Sequence, residues 1–119
     1  MTVHIVEDDF GVSDALSILV EGMGHDAVVY PDAESFFEGK PPVSGDLVIV
    51  DLGLPGVSGA QVVRWLSEFR DPPKVIVISG QPGNRLREML SGLNPLPSCA
   101  SRFRKKNLHL ISRALASLP

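Results

Sequence analysis

Residues 47–59 read Leu47-Val48-Ile49-Val50-Asp51-Leu52-Gly53-Leu54-Pro55-Gly56-Val57-Ser58-Gly59, and their order decides the fold. Four consecutive apolar residues, most of them β-branched, predict a strand buried on both faces, because a half-buried strand would alternate. The strand ends on an acid, Asp51, and the chain then runs into Pro55-Gly56, a turn signal. Two other runs share this character, Val3-His4-Ile5-Val6 ending at Glu7 and Val75-Ile76-Val77-Ile78 ending at Ser79. Ala27-Val28-Val29-Tyr30 and Ala100-Ser101-Arg102-Phe103 are weaker strands, the second with one polar face as an edge strand should have.

Helical spacing fills the intervals. Val12, Leu16, Leu19 and Met23 make one apolar stripe, stopped by Gly24. A short helix follows Asp32 through Phe36, Phe37 and Glu38 and ends at Gly39. Val62, Val63, Leu66 and Phe69 form another, closed by Asp71-Pro72-Pro73. Leu86, Met89, Leu90 and Leu93 suggest a fourth, and Leu108, Ile111, Leu115 and Leu118 a fifth with Asn107 as its N-cap. The fourth is expected to be short, displaced or partly disordered. Pro82-Gly83 and Asn94-Pro95-Leu96-Pro97 bound it and leave only Asn84 to Ser91 able to run as helix. Strand and helix alternate five times without repeats or a long linker, which predicts one α/β domain, a doubly wound parallel sheet spanning residues 1–119.

Composition agrees. The chain has 119 residues, 44% hydrophobic and 21% charged, values of a globular protein that exclude wholesale disorder. No apolar run approaches a membrane span, and no signal peptide is read at the start. Cys99 stands alone, so neither an internal disulfide nor a Cys-based zinc site is expected. The net charge of −3 conceals a split: residues 1–59 hold eleven acids and one base, residues 60–119 three acids and ten bases. Such asymmetry marks two differently charged surfaces of one fold.

In doubly wound sheets, ligands bind at the carboxyl ends of the strands. Those ends carry Glu7, Asp8 and Asp9, then Asp51, then Ser79, with Lys105 and Lys106 after the last strand. Clustered carboxylates repel unless a cation sits among them, and hard oxygen donors suit Mg²⁺. A hydroxyl and an ammonium group beside them can hold phosphoryl oxygens. Asp9 reads more simply as a solvated or capping acid than as a ligand. His4, His25 and His109 share no metal spacing, and Trp65 reads as a packing residue.

These pieces together, V-H-I-V-E-D-D at the start, D-L-G-L-P-G-V-S-G at 51–59, V-I-V-I-S-G at 75–80 and F-R-K-K at 103–106, resemble the receiver domain of two-component response regulators. The opening is similar to receivers of the nitrogen-fixation transcriptional regulators. The resemblance implies a flavodoxin-like strand order of 2-1-3-4-5. It implies Asp51 as phosphoacceptor, with Mg²⁺ held by Glu7, Asp8, Asp51 and the Gly53 backbone carbonyl. It implies Ser79 and Lys106 as phosphoryl-binding groups, and Ser79 with Phe103 as the switch pair. The partners implied are a sensor histidine kinase or phosphotransfer protein and a downstream protein, with a homodimer as one arrangement. The first helix, exposing Asp14 and Glu21 around Val12, Ser13 and Ser17, would meet the kinase. No nucleic acid, no membrane and no enzymatic turnover are expected, and the location expected is cytoplasmic.

The family's lysine normally precedes a proline, often through a cis bond, whereas Asn107 follows Lys106 here. A cis bond to a non-proline residue costs roughly 2.5–4 kcal/mol, so a trans bond and a displaced lysine are expected, with Lys105 the competing candidate. The other function to weigh is a pseudo-receiver that docks partners without phosphorylation. A phosphohydrolase would want a second acid near residue 53, where this chain has Gly53.

Overall fold

The five apolar runs form one parallel sheet in the order β2-β1-β3-β4-β5. The strands are β1 (Thr2–Val6), β2 (Asp26–Tyr30), β3 (Leu47–Asp51), β4 (Lys74–Ser79) and β5 (Ala100–Arg104). The computed structural model describes residues 1–54, 56, 58–80 and 100–117. Among these residues the helices are α1 (Phe10–Gly22), α2 (Ala33–Glu38), α3 (Gly59–Ser67) and α4 (Leu108–Ala116). The helix expected over residues 84–91 and the Pro55 half of the turn lie outside the described residues.

The continuous apolar strands are buried on both faces, as their lack of alternation predicts. One core gathers Val6, Val48, Val50, Val75 and Val77 beneath Phe36 of α2 and Val62, Val63 and Leu66 of α3. The other gathers Val3, Ile5, Leu47, Ile49, Ile76 and Ile78 beneath Leu16 and Val20 of α1 and Ile111 and Leu115 of α4. Every residue of β3 is buried, whereas the edge strand β2 leaves Asp26, Val28 and Val29 exposed.

Local signals set the helix ends. Asp9 caps α1 by accepting from the Val12 N–H at 3.2 Å, and Gly24 follows that helix at φ +87°, a left-handed position that favours glycine. Asp32 caps α2 through the Ser35 N–H at 2.7 Å. Ser58 and Gln61 close a reciprocal capping box on α3. The expected α1 stripe packs inward, Leu16 buried and Val12, Leu19 and Met23 against the same core, with Ser13 and Val20 buried beside them. One expectation needs correction. Asn107 does sit at the N-cap of α4, but its side chain makes no capping hydrogen bond.

His4 has more to do than a plain strand residue. Its Nε2 lies 3.0 Å from Asp46 Oδ2 and its Nδ1 3.2 Å from the Tyr30 hydroxyl. An ionised carboxylate only accepts, so Nε2 is the donor; in the neutral ring Nδ1 then accepts from Tyr30. Asp46 also accepts from the Thr2 N–H at 3.2 Å, which ties the start of β3 to β1. Burial would raise the Asp46 pKa, but its hydrogen bonds from His4, Val43 and Thr2 prevail and hold it below the usual carboxylate range. Burial, and then the Asp46 charge, push the Tyr30 phenol upward.

Candidate functional site

Sheet register brings the polar strand ends to one rim. Asp51 pairs with Ile78 across β3 and β4, so Ser79 stands one residue beyond it. Ser79 pairs with Arg104, and the Lys105 N–H continues that ladder by donating to the Ser79 carbonyl at 3.1 Å. Glu7 follows β1 and is fixed by its own N–H donating to the Tyr30 carbonyl at 3.0 Å. Asp51, Glu7 and Ser79 are all buried, while Asp8 is exposed.

Asp51 is held at both oxygens. Its Oδ1 accepts from the Gly53 N–H at 2.9 Å, and its Oδ2 accepts from Lys105 Nζ at 2.9 Å. The same ammonium lies 2.8 Å from Glu7 Oε1. Glu7 Oε2 accepts from the Asp8 N–H at 3.0 Å. Gly59, the first residue of α3, accounts for the spacing from Asp51: a Cβ there would collide with the Asp51 carbonyl and come within 2.8 Å of Leu52 Cα. Only glycine lets the helix start this close to the strand end. Gly56, at φ +71°, makes the turn between them.

The lysine is where the structure corrects the sequence. Lys105, not Lys106, reaches the carboxylates, and Lys106 is exposed. Alternation explains it. Along β5 the half-buried Phe103 alternates with the exposed Arg102 and Arg104. Lys105, whose N–H still pairs with the Ser79 carbonyl, keeps the Phe103 side, whereas Lys106 lies in the turn that the Asn107 N–H closes by donating to the Arg104 carbonyl at 2.9 Å. Counting three residues from Phe103 selects Lys106; the extended chain selects the residue two away. Phe103 is half-buried against the core beneath α1 and α4.

Electrostatics at the rim are those of crowded carboxyls. Burial, reinforced by the neighbouring Asp51, pushes Glu7 up to about 8 against the opposing pull of Lys105. Partial burial would lower the Lys105 pKa, but the two carboxyl groups around it raise it above its ordinary value. Glu7, Asp8 and Asp51 each offer an oxygen, all within 4.8 Å of one another. Glu7 Oε1 is buried and, although close to Lys105 Nζ, accepts no aligned hydrogen bond. Hard oxygen donors with one lone pair poorly satisfied fit a small divalent cation such as Mg²⁺. Sequence reasoning did not foresee the Phe10, Asp14 and Ile18 stripe on α1, in which Phe10 is 81% and Ile18 66% exposed. Ser13, expected on that surface, is buried and donates to the Phe10 carbonyl at 3.1 Å. The spacing 10-14-18 was the available signal, since it lies opposite the inward stripe.

A doubly wound sheet with an acidic cluster and a lysine at its carboxyl rim puts its candidate site where sheets of this class bind ligands. Residues 3–92 match the response regulator receiver domain, and the chain belongs to that family, a component of two-component systems. Among curated relatives, the transcriptional regulatory protein FixJ of Rhizobium meliloti is 32% identical over 79 residues, covering 66% of this chain and 39% of its own length. FixJ of Bradyrhizobium diazoefficiens is 23% identical over 78 residues, covering 66% of this chain and 38% of its own. The chain thus spans about two fifths of the length of these relatives. Among solved structures, a response regulator from Colwellia psychrerythraea aligns with a TM-score of 0.73 at 28% identity, over 98% of this chain and 94% of that one. The BeF3-activated DrrB receiver domain aligns at 0.80 and 16% identity, over 98% and 95%, a likeness of fold. Among the described residues, no helix is long and apolar enough to cross a membrane.

Proposed function

We propose that the chain is a phosphoacceptor receiver in which Asp51 takes a phosphoryl group from a phosphohistidine on a sensor histidine kinase or phosphotransfer protein. The observation that supports this most directly is the surroundings of Asp51. It is a buried carboxylate at a strand end, with an ammonium at 2.9 Å and two further carboxyl groups beside it. In the transfer, an Asp51 oxygen attacks phosphorus, the P–N bond breaks, and the imidazole nitrogen leaves with its electron pair. Lys105 is placed to pair with a phosphoryl oxygen, and the buried Ser79 hydroxyl is the second group for that task. Glu7, Asp8, Asp51 and the Gly53 carbonyl would hold Mg²⁺, which offsets the charge between the carboxylates and the incoming phosphoryl group.

The output is protein contact rather than catalysis of an external substrate. Ser79 and Phe103 form the switch pair, Phe103 packing from β5 against the core beneath α1 and α4. The exposed Phe10, Asp14 and Ile18 stripe on α1 suits a helical kinase or phosphotransfer partner, and the setting is cytoplasmic. Incubation with acetyl phosphate and Mg²⁺, read by intact mass, should add one phosphoryl group to the wild type and none to Asp51→Asn. An unmodified wild type under a phosphohistidine donor as well would reject the reading and leave a constitutive docking module. Asp8→Asn should also lose uptake while remaining folded, because removing one of several crowded carboxylates relieves repulsion.

A further inference from the structure

We propose that a second copy of this chain docks head-to-tail, the basic β5 side of one copy against the acidic β2 side of the next. The charge split along the sequence becomes a split across the sheet, because β2 and β5 are its two edges. Residues 26–38, which form β2 and α2, carry Asp26, Asp32, Glu34 and Glu38 and no lysine or arginine. Residues 100–117, which form β5 and α4, carry Arg102, Arg104, Lys105, Lys106 and Arg113 and no acid. Lys105 is committed to the site, and the other four are exposed. Four strand spacings of about 4.8 Å put the edges roughly 19 Å apart. That is about twice the screening length of roughly 10 Å at 0.1 M salt, so neither edge cancels the other.

Each side also exposes apolar surface within its charged surround. Val28 and Val29 on β2 are 40% and 41% exposed, and Leu108 and Leu110 on α4 are 37% and 42% exposed. Charge decides which pairing of edges is available. Two β2 edges would oppose acid to acid, and two β5 edges base to base, so both symmetric contacts are disfavoured. The β2-to-β5 contact alone is complementary, and it leaves a free edge at each end, so growth does not stop at two copies. This contact does not depend on phosphorylation and is tested on the unmodified protein.

Sedimentation at increasing protein concentration reads it out. At about 0.01 M salt, with a screening length near 30 Å, the average mass should climb past twice the monomer; at about 1 M salt it should stay monomeric. Arg102→Glu/Arg104→Glu and Asp26→Lys/Glu38→Lys should each be monomeric alone, because in each one edge keeps its charge while the other is left with as many acids as bases, Lys105 aside, and the complementary contact is lost. Mixing the two variants should restore association. A wild type that stays monomeric at low salt, self-association of the Asp26→Lys/Glu38→Lys protein, or a mixture that stays monomeric would each overturn the proposal.

Discussion

Glu7 and Lys105 are the residues whose chemistry is most sensitive to conditions. In the metal-free protein Glu7 keeps its proton up to about pH 8, whereas in the unfolded chain it loses it near its ordinary 4.5. The folded state therefore binds the extra proton in this window, and stability should fall as pH rises from about 4.5 to about 8. Thermal melts without metal should show that fall, and Glu7→Gln should flatten it. Mg²⁺ must displace the proton, so its stabilising effect should be larger at pH 8 than at pH 6. Equal Mg²⁺ shifts at both values would contradict the assignment of Glu7. Lys105→Met leaves two buried carboxyl groups without their cation and should cost about 1–3 kcal/mol of stability at neutral pH. It should slow phosphoryl uptake as well. Lys106→Met, on an exposed side chain, should leave both the melt and the uptake rate near wild type.

Among the elements, α3 bears most directly on the site, since its first residue abuts the backbone of Asp51. Gly59→Ala forces a methyl group into the Asp51 carbonyl, an overpacking that backbone cannot relieve by changing a rotamer. A loss of about 3 kcal/mol, at the upper end of such costs, is expected in denaturant titration, with phosphoryl uptake falling too. A neutral Gly59→Ala would mean that α3 can retreat from the strand. Elements such as this were readable in advance because they rest on local signals: β-branched runs, acids at strand ends, apolar residues at helical spacing. The lysine was not, because choosing between Lys105 and Lys106 depends on whether the chain stays extended past Phe103, and adjacent residues give no local cue. The link from His4 to Asp46 was not either. It joins residues 42 apart that become neighbours only once β1 and β3 pair.

For the whole molecule, the sheet sets a gradient from its centre outward. β3 is buried throughout and flanked by β1 and β4, whereas β2 is an exposed edge. Hydrogen exchange should find Val48, Ile49 and Val50 amides protected to the level of global unfolding, and β2 amides exchanging sooner through local opening. Uniform protection across both strands would mean the sheet opens only as a unit. The packing between α2 and α3 has a further use. Trp65, the only tryptophan of the chain, has its ring centroid 4.7 Å from that of Phe69 and 5.0 Å from that of Phe37. It lies on the helix whose first residue is wedged against the Asp51 backbone, so a movement of that strand end on loading would be carried to the indole by the same helix. If Asp51 is loaded as proposed, tryptophan emission should change on adding Mg²⁺ and acetyl phosphate without any dye, and a spectrum unmoved by both would show that α3 stays where it is.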